Sequence, residues 1–171
     1  CIIIVFRGGV LLAVFSISAC KKTNDSIPYN TTDINLANPA GWPNPPTNIF
    51  ANNPLTEEGF QLGKKVFYDG RLSKDGNFPC ASCHQQFAAF ATYDHDFSHG
   101  YNNSFTTRNA LPLFNLAWMT KFHWDGSVTV LEAEPMIPIT APNEMGENLD
   151  DVYNKLKDDM IYQNIFRTAD G

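Results

Sequence analysis

Apolar and polar positions divide the chain into three unlike stretches. The front, "FRGGVLLAVFSISAC", is an arginine, a short apolar run and small residues ending at Cys20. Residues 21–54 show no periodicity; "NPAGWPNPPTNIFANNP" is polar and proline-rich, the composition of irregular chain running over a surface. From Leu55 onward apolar positions recur at helical spacing. Thr56 is placed to cap a helix, Glu57 and Glu58 suit its positive end, and Phe60, Gly63 and Phe67 fall on one face before a stop at Gly70. A short helix is expected over "CASCHQQFAAF", then a loop rich in Asp, Asn, Ser and Gly from Thr92 to Thr107. "LFNLAWM" reads as helix, and "VTVLEAE" is open between strand and helix. Between Asn148 and Phe166, Val152 and Leu156, then Ile161 and Ile165, mark one or two amphipathic helices. Strands are few and repeats absent, so the expected class is mainly α with long loops.

The ends qualify this picture. Residues 1–19 have the layout of a secretory signal peptide, too short for a comfortable membrane span. Ile17-Ser18-Ala19-Cys20 resembles a bacterial lipobox, which would put lipid on Cys20 and make residues 20–54 a membrane-anchored tether; a plain signal peptide with a chance cysteine is the alternative. The folded domain is then residues 55–171. The chain starts at Cys1 rather than Met, and "FRTADG" does not close a domain, so truncation at both ends is expected. A net charge of −6 with no basic patch argues against a nucleic-acid partner.

Export changes the meaning of the cysteines. With Cys20 lipidated, Cys80 and Cys83 remain together, outside the cytoplasm, where spare thiols normally pair as disulfides. Their setting, Cys80-Ala81-Ser82-Cys83-His84, is the CxxCH pattern of c-type haem attachment. Two thiols add across the two porphyrin vinyl groups, and the adjacent histidine supplies an axial nitrogen to the iron. A zinc half-site would want a second ligand pair, and a thioredoxin-like couple a βαβ setting; neither is available in this sequence. Haem c is therefore the expected cofactor.

The segment "LGKKVFYDGRLSKDGNFPCASCHQQFAAF" resembles the opening of the bacterial di-haem cytochrome c peroxidases, MauG-type relatives included. The likeness continues through "TTRNALPLFNLAW", "FHWDG", "LEAEPMIPI" and "NEMG", in the family's order, over roughly residues 55–166. It implies a c-type cytochrome-like N-terminal domain carrying the peroxide-reacting haem, with a second haem domain following. Glu144 matches the glutamate of the family's "EM" motif, its distal acid–base residue; by itself the segment reads as a solvated loop. Counting back without a gap, the family's distal glutamine falls on Glu134, a departure. Either a second carboxylate enters the pocket, where each raises the other's pKa, or Glu134 points elsewhere. Trp124 matches the tryptophan between the two haems, although packing is the ordinary role of an indole. Ser127 stands where the family usually has arginine.

For the sixth iron position the resemblance offers a loop histidine. His99 ranks first, then an open position, then Tyr101 (where the ungapped count lands) or His95. His123 reads as a packed or exposed residue. Arg108 matches an arginine suited to a haem propionate, and Asn109 a contributor to an inter-domain calcium site.

The expected function is reduction of hydrogen peroxide to water, with electrons from a small cytochrome c-type donor, by a periplasmic lipoprotein for which a homodimer is one open assembly. A MauG-like oxidase acting on another substrate is the first rival. A mono-haem electron carrier is the second, disfavoured by the Glu144 motif.

Overall fold

The computed structural model describes residues 31–46 and 50–170; the expected signal peptide, Cys20 and its two lysines lie outside the described residues. Five α-helices carry the regular structure there: α1 (Glu57–Phe67), α2 (Cys80–Cys83), α3 (Met136–Thr140), α4 (Leu149–Leu156) and α5 (Met160–Asp170). Extended pairing among the described residues is limited to isolated bridges such as Phe122 with Val128. The protein is mainly α, with single 3₁₀ turns and long connections between the helices.

Local chemistry sets the helix ends. The Thr56 hydroxyl accepts from Gly59 N at 3.0 Å and stabilises the first turn of α1 by about 1 kcal/mol. Asn148 caps α4 in the same way, accepting from Asp151 N at 2.8 Å. The N-terminal segment is tied down beside α1, where Ile34 N donates to Leu55 O and Glu57 N to Thr32 O, each at 2.8 Å.

Helix α1 packs on α5, and α4 lies against α3. Leu72, Ile139 and Met145 form the buried cluster, with Val66, Val152 and Leu156 packed on it. Of the face marked by spacing on α1, Phe67 is half-buried and Phe60 is 51% exposed, while Val66 packs on the core. Two further expectations shift. "LFNLAWM" forms only a 3₁₀ turn over Leu116–Trp118, because Asn115 takes a left-handed conformation (φ +56°) and Trp118 Nε1 donates to Pro43 O at 2.8 Å. "VTVLEAE" resolves into the Val128 bridge followed by a 3₁₀ turn at Leu131–Ala133.

The core of helices is small. Beside it opens a cavity of about 520 Å³, within the range of roughly 300–1,000 Å³ usual for ligand sites.

Candidate haem site

Helix α2 places Cys80 and Cys83 on the wall of this cavity as free thiols, with His84 next to them. The helix is shorter than expected, one turn. Ala89 and Phe90 adopt φ of +55° and +59°, folding the chain back so that Gln85 pairs with Ala91. This reversal has a chemical result: the Phe90 carbonyl comes within 2.8 Å of His84 Nδ1. A carbonyl only accepts, so Nδ1 is the donor and Nε2 is the ring nitrogen left for a metal. That is the tautomer and orientation a metal-ligating histidine needs. Burial pushes the Cys80 thiol up, suiting an uncharged sulfur.

The rest of the wall fits a flat apolar group. Phe67, Phe78, Leu113, Leu116, Phe122 and Met145 all line it. Paired thiols, a histidine with free Nε2 and an apolar slot together match covalently held haem c: Cys80 and Cys83 would bind the porphyrin edge and His84 the iron.

The other site residues expected from the sequence separate into two groups. Glu144, Glu134, Trp124, Arg108 and His99 all line the cavity, while His95 and Tyr101 do not. The ring of Tyr101 lies instead under Lys74 Nζ, 5.5 Å away, and His95 reaches only the ring of His99, at 5.1 Å. His99 also packs on Phe105, at 4.6 Å, so the loop holds it on the cavity side.

This loop is fastened directly to the segment bearing Glu144. Tyr101 N donates to Glu144 O at 2.6 Å. Gly100 passes so close to Asn143 that a Cβ there would stand 2.2 Å from its carbonyl oxygen. Glycine is required for contact, not for turning. Glu144 itself is pushed upward chiefly by burial; the charge of His123 offsets this and that of Glu134 adds to it.

Trp124 sits at the rim, 45% exposed, its Nε1 donating to Asn109 O at 3.0 Å. Arg108 lies over the same indole, its guanidinium carbon 5.3 Å from the ring centroid, a cation–π contact. Ser127, in place of the family's arginine, closes a small turn by donating its N–H to Asp125 Oδ1 at 2.9 Å.

One cavity-lining residue falls outside the set expected from the sequence. His123 is neither simply packed nor simply exposed: it lines the cavity, and its Nδ1 lies 3.0 Å from Glu134 Oε1. The only hint in the sequence was a histidine beside the "WDG" turn, with no indication of what the turn would face.

A largely apolar cavity behind a CxxCH motif, with the Glu144 carboxyl on its wall, defines a c-type haem domain. The family model for di-haem cytochrome c peroxidase matches residues 57–171, and the chain belongs to that family. Members of the family carry covalently bound haem c. The chain is 41% identical over 119 residues to the methylamine utilization protein MauG of Methylorubrum extorquens, covering 70% of this chain and 33% of that protein. It is 30% identical over 117 residues to cytochrome c551 peroxidase of Pseudomonas aeruginosa, covering 68% of this chain and 33% of the relative. The chain thus spans about a third of the length of these curated relatives. Among solved structures, a MauG-like protein associated with microbial copper homeostasis superposes with a TM-score of 0.70 at 32% identity, covering 80% of this chain and 40% of that one. The diheme peroxidase BthA of Burkholderia thailandensis matches with a TM-score of 0.56 at 24% identity, over 62% of this chain and 31% of that one, a likeness of fold.

Proposed function

We propose that this chain is the peroxide-handling haem domain, residues 55–171, of a periplasmic di-haem peroxidase. It reduces hydrogen peroxide to water with electrons from a small c-type cytochrome. The observation that carries the reading is the position of Glu144: a partly buried carboxyl, held above its ordinary range, on the wall of the cavity that also holds Cys80, Cys83 and His84. Haem, when bound, supplies the redox chemistry. The residues of the chain supply the rest. His84 would hold the iron, its ring oriented by Phe90 O. Glu144 accepts a proton from one peroxide oxygen and returns it to the other as the O–O bond breaks, work worth roughly 10²–10⁴-fold in rate. Trp124 offers an exposed indole at the rim for incoming electrons, and Arg108 braces it. His99, on the loop wall of the cavity, would be a second residue able to hold the iron. Asn109 contributes to a calcium site facing a following domain, and lipid on Cys20 holds the protein at the membrane.

A MauG-like oxidase is the second reading, favoured by the 41% identity to MauG and by the MauG-like structural neighbour. Both readings share the cavity and the role of Glu144, and they differ in what is oxidised.

The test is titration of the haem-loaded protein with hydrogen peroxide, followed by optical and EPR spectra, in wild type, Glu144→Gln and His99→Gly. A rapid spectral change that Glu144→Gln slows supports the peroxidase reading. A low-spin spectrum that peroxide does not alter, even in His99→Gly, would mark an electron carrier instead.

A further inference from the structure

The cavity wall bears ionisable side chains that this chemistry does not use, His123 and Glu134 among them. His123 sits in the turn between Phe122 and Val128, with φ +64°, and its side chain is 35% exposed at the rim. Its Nδ1 lies 3.0 Å from Glu134 Oε1. The other oxygen of that carboxylate, Oε2, is buried and has no hydrogen-bond partner among the described residues. Glu144 is on the same wall, and the two charges that act on it are those of His123 and Glu134. The remaining ionisable groups nearby are otherwise engaged. Asp125 accepts from Ser127 N, Arg108 covers Trp124, His84 is bonded to Phe90 O, and His99 packs on Phe105.

Peroxide reduction, H₂O₂ + 2 e⁻ + 2 H⁺ → 2 H₂O, takes its electrons from the c-type cytochrome donor and two protons from outside the cavity. Glu144 moves a proton from one peroxide oxygen to the other, but that transfer brings in no new proton. We propose that His123 and Glu134 form a proton-holding pair that recharges Glu144: His123 takes protons from solvent at the rim, and Glu134 passes them inward. The inference rests on the peroxidase reading of the cavity. It accounts for two features that reading leaves unused. A carboxylate oxygen buried without a partner is costly, and a proton or an ordered water in transit satisfies it. A histidine whose exposed edge meets solvent while its Nδ1 meets the carboxylate connects the two sides.

His123→Asn separates a proton-carrying role from a structural one. Asparagine keeps a side-chain N–H for Glu134 and tolerates the left-handed backbone at this position, but it cannot take up a proton. The experiment uses infrared difference spectra of the haem-loaded protein against pH, with the carboxyl band of Glu144 assigned by its loss in Glu144→Gln. In His123→Asn the band is expected to persist to higher pH than in wild type, since the charge that lowers Glu144 is gone. The peroxide reaction is expected to slow about tenfold, less than the loss of the acid–base group itself, and Glu134→Gln should slow it similarly. A protein that reacts with peroxide normally, with band and rate unchanged in His123→Asn, would reduce the pair to a structural hydrogen bond. A wild type unreactive toward peroxide would sink the peroxidase reading and the relay with it.

Discussion

Two carboxylates in this molecule stand in opposite settings. Asp69, between α1 and α5, accepts from Arg71 Nε at 3.0 Å and Nη2 at 2.7 Å, from Arg71 N at 3.0 Å and from the Tyr162 hydroxyl at 2.9 Å. Arg71 continues to Asp159 at 3.0 Å, and Tyr162 is 1% exposed. These donors hold Asp69 down to about 2. Glu144 is moved the other way by burial, beside a second carboxylate with an unpartnered oxygen. At the α1–α5 contact Arg71 pairs with both Asp69 and Asp159. On the cavity wall the matching is incomplete, since Glu134 Oε2 is buried without a partner among the described residues. The same side-chain chemistry shifts down in one place and up in the other because of what surrounds it.

The largest effect that would test this contrast is on rate. Glu144→Gln should slow the peroxide reaction by roughly 10²–10⁴-fold while leaving thermal stability within about 0.5 kcal/mol, since an amide is easier to bury than a charge. Stopped-flow spectra and a melting curve on the same sample check both halves. A large loss of stability in Glu144→Gln would show that the two regions do not differ as argued. Next is Gly100→Ala. Its Cβ must displace the Asn143 carbonyl, so the loop of His99 and the segment of Glu144 are forced apart at a cost of about 1–3 kcal/mol. Denaturant unfolding measures this. A tolerated alanine would mean that the two segments are not locked together.

The sequence disclosed these regions unequally, for physical reasons. Helix α1 was legible from Thr56 and its acidic first turn, and α4 from the apolar spacing after Asn148, because caps and periodicity are local. The CxxCH motif was legible because covalent attachment demands fixed spacing. The helical reading of "LFNLAWM" failed because Trp118 is fixed by Pro43, 75 residues away, and propensity carries no trace of such a contact. Spacing put Phe60, Gly63 and Phe67 on one face but could not say how much of it is covered, and Phe60 is exposed. Glu134 was visible only as a departure from a resemblance. Its partner His123 came into view when the turn from Phe122 to Val128 was seen to close over the cavity, and the carbonyl that orients His84 depends on left-handed residues that no rule singled out.

The smallest effect expected is also the most discriminating, and it lies in the pH dependence of stability. Asp69 is held at about 2, below its ordinary 3.8, so between these values the folded state binds fewer protons than the unfolded chain. Its contribution is complete above about 3.8 and is lost as pH falls through about 2. Glu144 is raised above 4.5, so its sign is reversed: stability is highest below 4.5 and declines as pH rises through the raised value. Tyr162→Phe removes one donor to Asp69 and should cost about 1 kcal/mol near pH 7 and less near pH 2, where the carboxylate is itself being protonated. Glu144→Gln should leave that acid limb intact and flatten the decline above 4.5. Urea midpoints of the haem-loaded protein across pH resolve the two limbs. An equal loss in Tyr162→Phe at both ends of the range would mean that the hydroxyl acts through packing and not through Asp69.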